Sequence, residues 1–235
     1  MNYKQLSILI VSVLMVLLVP IILYLYSFNS IAFDNDFYKK EFLKYNVYAN
    51  LDNYDIEEIN YDVLTYLKSG KNNELIKNDF FNDREQAHLS DVKDLIQISL
   101  FVYYLSLVLF LLLSITLVFL LEFNYKVIVE KFLLLVFFGS FLTLVDAFLF
   151  FVLSNLNFNF VFDKFHQIFF SAGTYIFNPE FERIVVLYPY GLFFDALTKI
   201  IGKTILSSGI MFLASFTLLF AFYKVIFLKI LRLNP

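Results

Sequence analysis

Cysteine and tryptophan are missing from this chain, and histidine occurs only twice among its 235 residues. Without cysteine the protein forms no disulfide, has no thiolate nucleophile and builds no cysteine-ligated metal site. Glycine and proline are scarce, at 6 and 4 residues, so few positions interrupt a helix. The net charge of −3 at pH 7 is small, which argues against nucleic acid as a partner.

Apolar residues fill most of the chain. It is 60% hydrophobic, contains 32 phenylalanines and has a mean hydropathy of +0.73. Four apolar runs are long enough to cross a bilayer, at about residues 6–28, 96–121, 132–153 and 204–227. The sequence therefore predicts an all-α polytopic membrane protein. We expect one integral membrane domain over residues 1–235, with four transmembrane helices and an outward-facing helical and interfacial cap.

The first apolar run has a rival interpretation as a cleaved signal peptide, because Ser30-Ile31-Ala32 weakly resembles a cleavage site. The run is longer than the apolar core of a signal peptide, which favours an uncleaved first span. Pro20 lies inside this run, where a membrane helix tolerates it.

The short flanks of the spans carry an excess of basic residues, which predicts the orientation of the chain. The basic residues are Lys4, Lys126, Lys131, Lys224, Lys229 and Arg232, against only Glu122 and Glu130. The positive-inside rule then places the N-terminus, the loop 122–131 and the C-terminus in the cytoplasm. Segments 29–94 and 154–203 are consequently predicted to be extracytoplasmic.

The first outward segment is predicted to be helical. Two helices are expected around Asn35–Tyr45 and Asp55–Ser69, the second stopped by Gly70. A third should begin after Asn82, which with Glu85 three residues later has the form of a capping box. No glycine or proline interrupts it as far as Leu121, so one helix should begin in water and then cross the membrane.

The second outward segment is rich in aromatic residues but contains no apolar run long enough to span. Pro189 and Gly191 break its last run, and aromatic amphipathic stretches of this kind lie in the membrane interface. His166 lies in this segment and His88 in the first one, so both histidines are predicted on one membrane face.

The two histidines are the most specific chemical signal in the chain. Glu85, His88 and Asp91 are spaced to lie along one helix face. A single interfacial histidine is most simply a hydrogen-bonded aromatic without a catalytic role. Two of them at one depth, flanked by carboxylates, favour proton transfer, because imidazole titrates near neutrality.

Four other features of the sequence are chemically relevant beside this pair. Glu85-x-x-His88 and Asp163-x-x-His166 have spacings that allow metal ligation, but such short patterns arise easily by chance, so we expect neither metal nor cofactor. Asp146 lies within the third predicted span, where a carboxyl group should face a partner or a cavity. A functional role and a packing role for Asp146 remain equally open. Ser90 and Ser171 lack the context of a nucleophile elbow and are interpreted as ordinary polar residues.

These residues carry a resemblance to a known family. The motifs are Glu85-x-x-His88-Leu89-x-Asp91-Val92, Phe165-His166-x-x-Phe169-Phe170, and Asn178-Pro179 followed by Tyr188-Pro189-x-x-x-Phe193-Phe194. In order, spacing and topology the chain resembles the bacterial lipoprotein intramolecular transacylase (Lit) family over nearly its whole length. It departs from the family pattern in having Asn178 in place of an aspartate and in lacking a tryptophan just upstream.

The resemblance implies a function. Such enzymes move the sn-2 acyl chain of a diacylglyceryl-cysteine lipoprotein onto its own N-terminal amine, and no acyl-enzyme is required. His88 and His166 would be the catalytic acid–base pair, with the two roles unassigned, while Glu85 or Asp91 would orient His88. The expected partners are diacylglyceryl-modified lipoproteins and membrane lipids of the bacterial cell membrane, with the oligomeric state left open.

Two other interpretations belong to different functional classes. One is a non-catalytic transporter or assembly subunit, although the sequence shows neither the internal repeat nor the paired broken helices of a transporter. The other is a metal-dependent intramembrane hydrolase that uses the carboxylate-x-x-His pairs.

Overall fold

The computed structural model describes residues 2–70, 76, 78–170 and 174–233, with side chains as far as residue 224. All regular structure in these residues is helical, which confirms the predicted fold class. In chain order the helices are α1 (Tyr3–Ala32), α2 (Asn35–Lys44), α3 (Val47–Asn50), α4 (Ile56–Lys68), α5 (Asp83–Leu120), α6 (Tyr125–Leu156), α7 (Phe158–Phe169), α8 (Ile184–Leu187) and α9 (Tyr190–Leu233). Helices α1, α5, α6 and α9 are long and apolar enough to cross a membrane.

The chain divides into two compact units. The membrane unit comprises Met1–Ser27, Tyr103–Phe150 and Ile201–Pro235, and the histidine unit comprises Phe28–Val102 and Phe151–Ile200. The histidine unit is named for its content, because both histidines of the chain fall within its ranges.

Close helix packing characterises the membrane unit. Met15, Leu117 and Leu135 are buried together in one apolar cluster. Gly139 on α6 faces Val19 on α1 so closely that an added Cβ would lie 2.7 Å from the Val19 Cβ. Small residues of this kind allow membrane helices to approach each other.

Three buried hydroxyl groups in the membrane unit are satisfied by their own helices. Ser140, Thr143 and Ser208 are buried, and each donates a hydrogen bond to a carbonyl one turn earlier. This pairing avoids the cost of an unsatisfied polar group in an apolar environment.

The histidine unit has an apolar core built from α2, α4, the start of α5 and α8. Its buried members include Phe37, Phe42, Ile59, Val63 and Leu187. Helix α2 is capped by Asp34 and α4 by Asp55, and both helices lie within one residue of their predicted bounds. The short helix α3 was not predicted, because four residues carry too little periodicity to be recognised.

Helix α5 begins as the sequence predicts. The Asn82 Oδ1 accepts the backbone N–H of Glu85 at 2.9 Å, and the Glu85 Oε2 accepts the backbone N–H of Asn82 at 2.7 Å. These reciprocal bonds confirm the capping box. Asp94 is the last charged residue of α5, so the membrane-spanning part of this helix follows it and His88 precedes that part.

Two of the long helices begin earlier than the predicted spans. Helix α6 already begins at Tyr125, because Asn124 caps it, accepting the backbone N–H of Val127 on its side chain and that of Ile128 on its carbonyl. Helix α9 begins at Tyr190, so Gly191 does not break the aromatic segment, whereas the predicted break at Pro189 is present, because α8 ends at Leu187. Pro189 lies just before the helix, where its missing N–H costs nothing.

Candidate active site

His88 lies in the second turn of α5 and is 9% exposed. Its ring packs against Phe170, with centroids 4.9 Å apart, and against Phe177 at 5.2 Å. Its Nδ1 is buried and has no hydrogen-bond partner among the described residues. Burial lowers the pKa of His88 to about 4, and the nearby His166 acts in the same direction. The fold therefore holds this imidazole neutral with one ring nitrogen uncommitted.

His166 lies in the last turn of α7, where the helix itself fixes its tautomer. Its Nδ1 is 2.8 Å from the carbonyl oxygen of Phe162. A carbonyl only accepts, so Nδ1 carries the proton and the lone pair of the neutral ring is on Nε2. Burial lowers the pKa of His166, while the Phe162 carbonyl and the charge of Asp163 oppose this shift.

One aromatic ring brings the two histidines together. Phe170 is 8% exposed and lies 4.9 Å from the ring of His88 and 5.4 Å from that of His166, between centroids. The influence of His166 on the pKa of His88 likewise requires that they be neighbours. The two histidines are thus neighbours that share a contact with Phe170.

The segment after α7 adds an aromatic ring to each histidine. Tyr175 packs on His166 with centroids 5.0 Å apart, and Phe177, two residues later, packs on His88. Both imidazoles are thereby surrounded by apolar surface, which explains the common direction of their pKa shifts.

Glu85 binds the backbone at two places, one of which is the predicted capping box. It is fully buried, and while its Oε2 accepts the N–H of Asn82, its Oε1 accepts the backbone N–H of Ile184 at 2.7 Å. Each carboxylate oxygen thus accepts a backbone N–H, and no hydrogen bond joins Glu85 to His88 among the described residues, so an orienting role for Glu85 stays a prediction. Its charge joins the start of α5 to the start of α8.

The other two predicted carboxylates also lie apart from the histidine rings. Asp91 is exposed on α5, where partial burial and the neighbouring Asp94 raise its pKa. Asp146 belongs to the membrane unit, on α6, where it is close enough to Tyr24 of α1 to interact electrostatically. Neither carboxylate is hydrogen-bonded to a histidine in the part of the chain that the structure describes.

The described residues offer no cluster of three or more His, Asp or Glu side chains that would suit a metal ion. Glu85, one candidate ligand, has both oxygens engaged by amides. That the chemistry needs no metal stays a prediction.

The remaining residues named from the sequence lie as follows. Ser90 lies beside Tyr66, while Ser171 falls outside the described residues. Asn178, which departs from the family pattern, is exposed, and its Oδ1 accepts the N–H of Glu180 at 3.0 Å in a turn.

Several residues around the histidines were not singled out from the sequence. They are Arg84, Tyr175, Phe177 and Glu182, whereas Phe170 entered only as a member of a family motif. Arg84 is adjacent to the predicted site, but a charged residue in the first turn of a helix is ordinarily solvated. The aromatic residues stand among so many others that no local pattern distinguishes them.

Comparison with known proteins decides the family. The family model of the lipoprotein intramolecular transacylase Lit matches residues 13–194, a range that contains both histidines. The chain belongs to the Lit family. The resemblance drawn from the motifs is thereby confirmed, and with it the class of enzyme, an intramolecular transacylase.

Solved structures agree on the Lit fold. One in meso structure of the membrane integral Lit from Bacillus cereus has a TM-score of 0.72 and 22% identity, covering 94% of this chain and 96% of that one. Two others carry a histidine substitution. The arginine variant has a TM-score of 0.73 and 19% identity over 97% of this chain and 96% of that one. The alanine variant has a TM-score of 0.73 and 20% identity over 94% and 96%. A search of curated proteins gave no match.

Proposed function

We propose that this Lit-family enzyme moves the sn-2 O-acyl chain of a diacylglyceryl-cysteine lipoprotein onto that lipoprotein's own N-terminal amine, with catalysis by His88 and His166. The observation that carries the proposal is that the two histidines of the chain both pack on Phe170. A pair of neutral imidazoles within aromatic surroundings suits proton transfer in a water-poor site.

The reaction balances without a covalent enzyme intermediate. The amine nitrogen attacks the ester carbonyl carbon, a C–N bond forms, and the amine loses one proton. The C–O bond to the glycerol then breaks, and the departing oxygen gains one proton. Because the amine and the ester belong to one molecule, holding them in contact supplies a large effective molarity.

The hydrogen bonds support a division of roles between the histidines. His166 keeps Nδ1–H on the Phe162 carbonyl, so its Nε2 is free to accept the amine proton and return it to the glycerol oxygen. The same carbonyl stabilises the transient imidazolium. His88 stays neutral and offers an unpaired Nδ1. In its N–H form this nitrogen would donate to the carbonyl oxygen that becomes negative, a use known for neutral imidazole.

The aromatic segment is proposed to receive the acyl chains. Helix α7 has no buried residue and exposes Phe160, Phe165, Ile168 and Phe169 at 43% or more. Such a face is suited to lipid. With the basic flanks of the spans in the cytoplasm, the histidines would act on the extracytoplasmic face of the bacterial cell membrane.

The test is expression in a bacterium that lacks its own N-acylation of lipoproteins. Lipoprotein N-terminal peptides should keep their intact mass, while their fragment spectra show one acyl group moved from glycerol to the amine. His88→Ala and His166→Ala should each lower the rate about 10²–10⁴-fold. Activity should survive a chelator.

The matched control is Lys164→Ala, an exposed substitution on the same helix as His166. Wild-type protein that inserts normally but leaves the fragment spectra unchanged would contradict the proposal. Loss of activity on chelation with recovery on addition of zinc or iron would favour the hydrolase interpretation instead.

A further inference from the structure

Phe177 is held between two charged or titratable side chains of α5. The ring of Phe177 packs against that of His88, with ring centroids 5.2 Å apart. The guanidinium of Arg84 lies over the same ring, with its Cζ 5.0 Å from the centroid. Arg84 and His88 are four residues apart and so share a helix face. One aromatic side chain therefore contacts consecutive turns of α5.

Arg84 is itself fixed by two groups from the segment that carries Phe177. Its Nη1 donates to the Oε1 of Glu182 at 2.5 Å, and its Nη2 donates to the carbonyl of Ile176. Glu182 is 6% exposed, and its Oε2 accepts the backbone N–H of Asn178 at 2.6 Å. Arg84 thus bonds the chain on both sides of Phe177 and stacks on its ring.

We propose that Arg84 is a positioning residue for His88, which it serves by clamping Phe177 against the imidazole through Glu182 and the Ile176 carbonyl. The catalytic consequence rests on the proposed function, whereas the clamp itself does not. Nothing in the assignment requires Arg84 to touch substrate.

The chemistry of the guanidinium suits this task. It is planar, so it can stack on an aromatic ring while its N–H groups point outward to a carboxylate and a carbonyl. The ring that it fixes removes water from one side of His88, which favours the neutral imidazole. Lysine would keep the charge but has neither the flat face nor the forked donors.

The chain allows a direct test, because it contains only two histidines. Protein labelled with ¹³C-histidine gives two imidazole Cε1–H signals, and the His166→Gln variant assigns them. In wild-type protein the His88 signal should titrate near 4 and carry the ring-current shift of its aromatic neighbours. In Arg84→Ala it should titrate closer to the ordinary 6.5, with a reduced ring-current shift.

Three further variants separate packing from charge. Arg84→Lys keeps the positive charge, so a similar rise in the pKa of His88 shows that the stacked ring is responsible. Phe177→Ala removes both the ring and its cover of His88, so it should give the same changes in the His88 signal as Arg84→Ala, and it replaces that variant if Arg84→Ala fails to fold. The control is Arg183→Ala, because Arg183 stacks on Phe80 at 4.9 Å and donates to the Tyr54 hydroxyl at 2.6 Å, and its loss should leave the His88 signal unchanged.

Activity supplies the second readout. Arg84→Ala should lower kcat on the order of 10²-fold with little change in KM, because a misplaced catalytic group affects the reaction more than binding. A His88 signal that is the same in Arg84→Ala as in wild type overturns the clamp, as does an Arg84→Lys variant indistinguishable from wild type. An inactive wild type with the expected His88 spectra would instead contradict the proposed function and leave the clamp supported.

Discussion

At the scale of single residues, the hydrogen bond between His166 and the carbonyl of Phe162 has the clearest chemical consequence. It places the lone pair of the neutral ring on Nε2. The pKa of His166 is lowered mainly by burial, so the ring keeps this lone pair at neutral pH. If His166 is the base, its contribution is present above its lowered pKa and is lost as the pH falls through it.

Substitution of Asp163 tests the direction of this pH dependence. Its charge favours protonated His166, so Asp163→Asn should move the pKa of His166 further down. An NMR titration of the His166 signal gives the shift directly. The transfer rate should fall below the pKa of the substrate amine and more steeply below that of His166, with the steeper part at lower pH in the variant.

Asp163→Glu is the matched control, because it keeps the charge and should leave the titration close to wild type. A titration of the Asp163→Asn variant that moves to higher pH would show that Asp163 does not act on His166 through its charge.

Single residues also show where the sequence was sufficient. The side chains of Asn82 and Glu85 each accept the backbone N–H of the other residue, a local arrangement that three-residue spacing encodes. The hydrogen bond of the second Glu85 oxygen could not be predicted from the sequence, because its partner Ile184 lies 99 positions along the chain. The contacts that hold Phe177 could not be predicted for the same reason, since Arg84 and Glu182 are separated by 98 positions.

At the scale of elements, a charged cluster joins α2 to α9 in the histidine unit. The Asp195 carboxylate accepts the Tyr45 hydroxyl at 2.7 Å and pairs with Lys44, while Lys199 lies 3.7 Å from Glu41. Gly191 makes this possible, because a Cβ at that position would overlap the ring of Tyr45. Its place at the start of α9 is therefore a packing requirement and not a helix break.

Glycine-to-alanine substitutions should distinguish the cost of a steric clash from the gain in helix propensity. Gly191→Ala and Gly139→Ala should each destabilise the fold by about 1–3 kcal/mol, because the added carbon meets Tyr45 or Val19. Gly202→Ala has open space around it and should be stabilising by up to about 1 kcal/mol, since alanine is the better helix former. Circular dichroism at 222 nm during heating suits a protein without tryptophan.

If all three variants melted alike, the close approaches at Gly139 and Gly191 would not affect the stability of the fold.

The bounds of the helices also show what local sequence signals can and cannot predict. The predicted ranges Asn35–Tyr45 and Asp55–Ser69 match α2 and α4 to within a residue, whereas the contact of Gly191 in α9 with the ring of Tyr45 joins distant parts of the chain.

At the scale of the whole molecule, four spans were predicted correctly because apolar length is a local and strong signal. The direction in which they cross remains a prediction from the basic flanks. The absence of cysteine makes it easy to test, because any introduced thiol is unique.

Asn53→Cys and Tyr125→Cys are suitable probes, since both positions are exposed and lie in different units. In intact cells a membrane-impermeant maleimide should label Asn53→Cys, and Tyr125→Cys should react only after the membrane is permeabilised. Labelling in the reverse pattern would place the histidines in the cytoplasm, away from exported lipoproteins.

The buried carboxylate of Glu85 also has a consequence for biosynthesis. The start of α5 is complete only when Ile184 arrives, 99 positions later. At about 5–20 residues per second, the ribosome needs roughly 5–20 s to make that stretch. During most of this interval the nascent chain carries Glu85 without the Ile184 N–H and His88 without Phe170 or Phe177. The enzyme should therefore gain activity late in its own synthesis, and arrested chains that end before Ile184 should be inserted but inert.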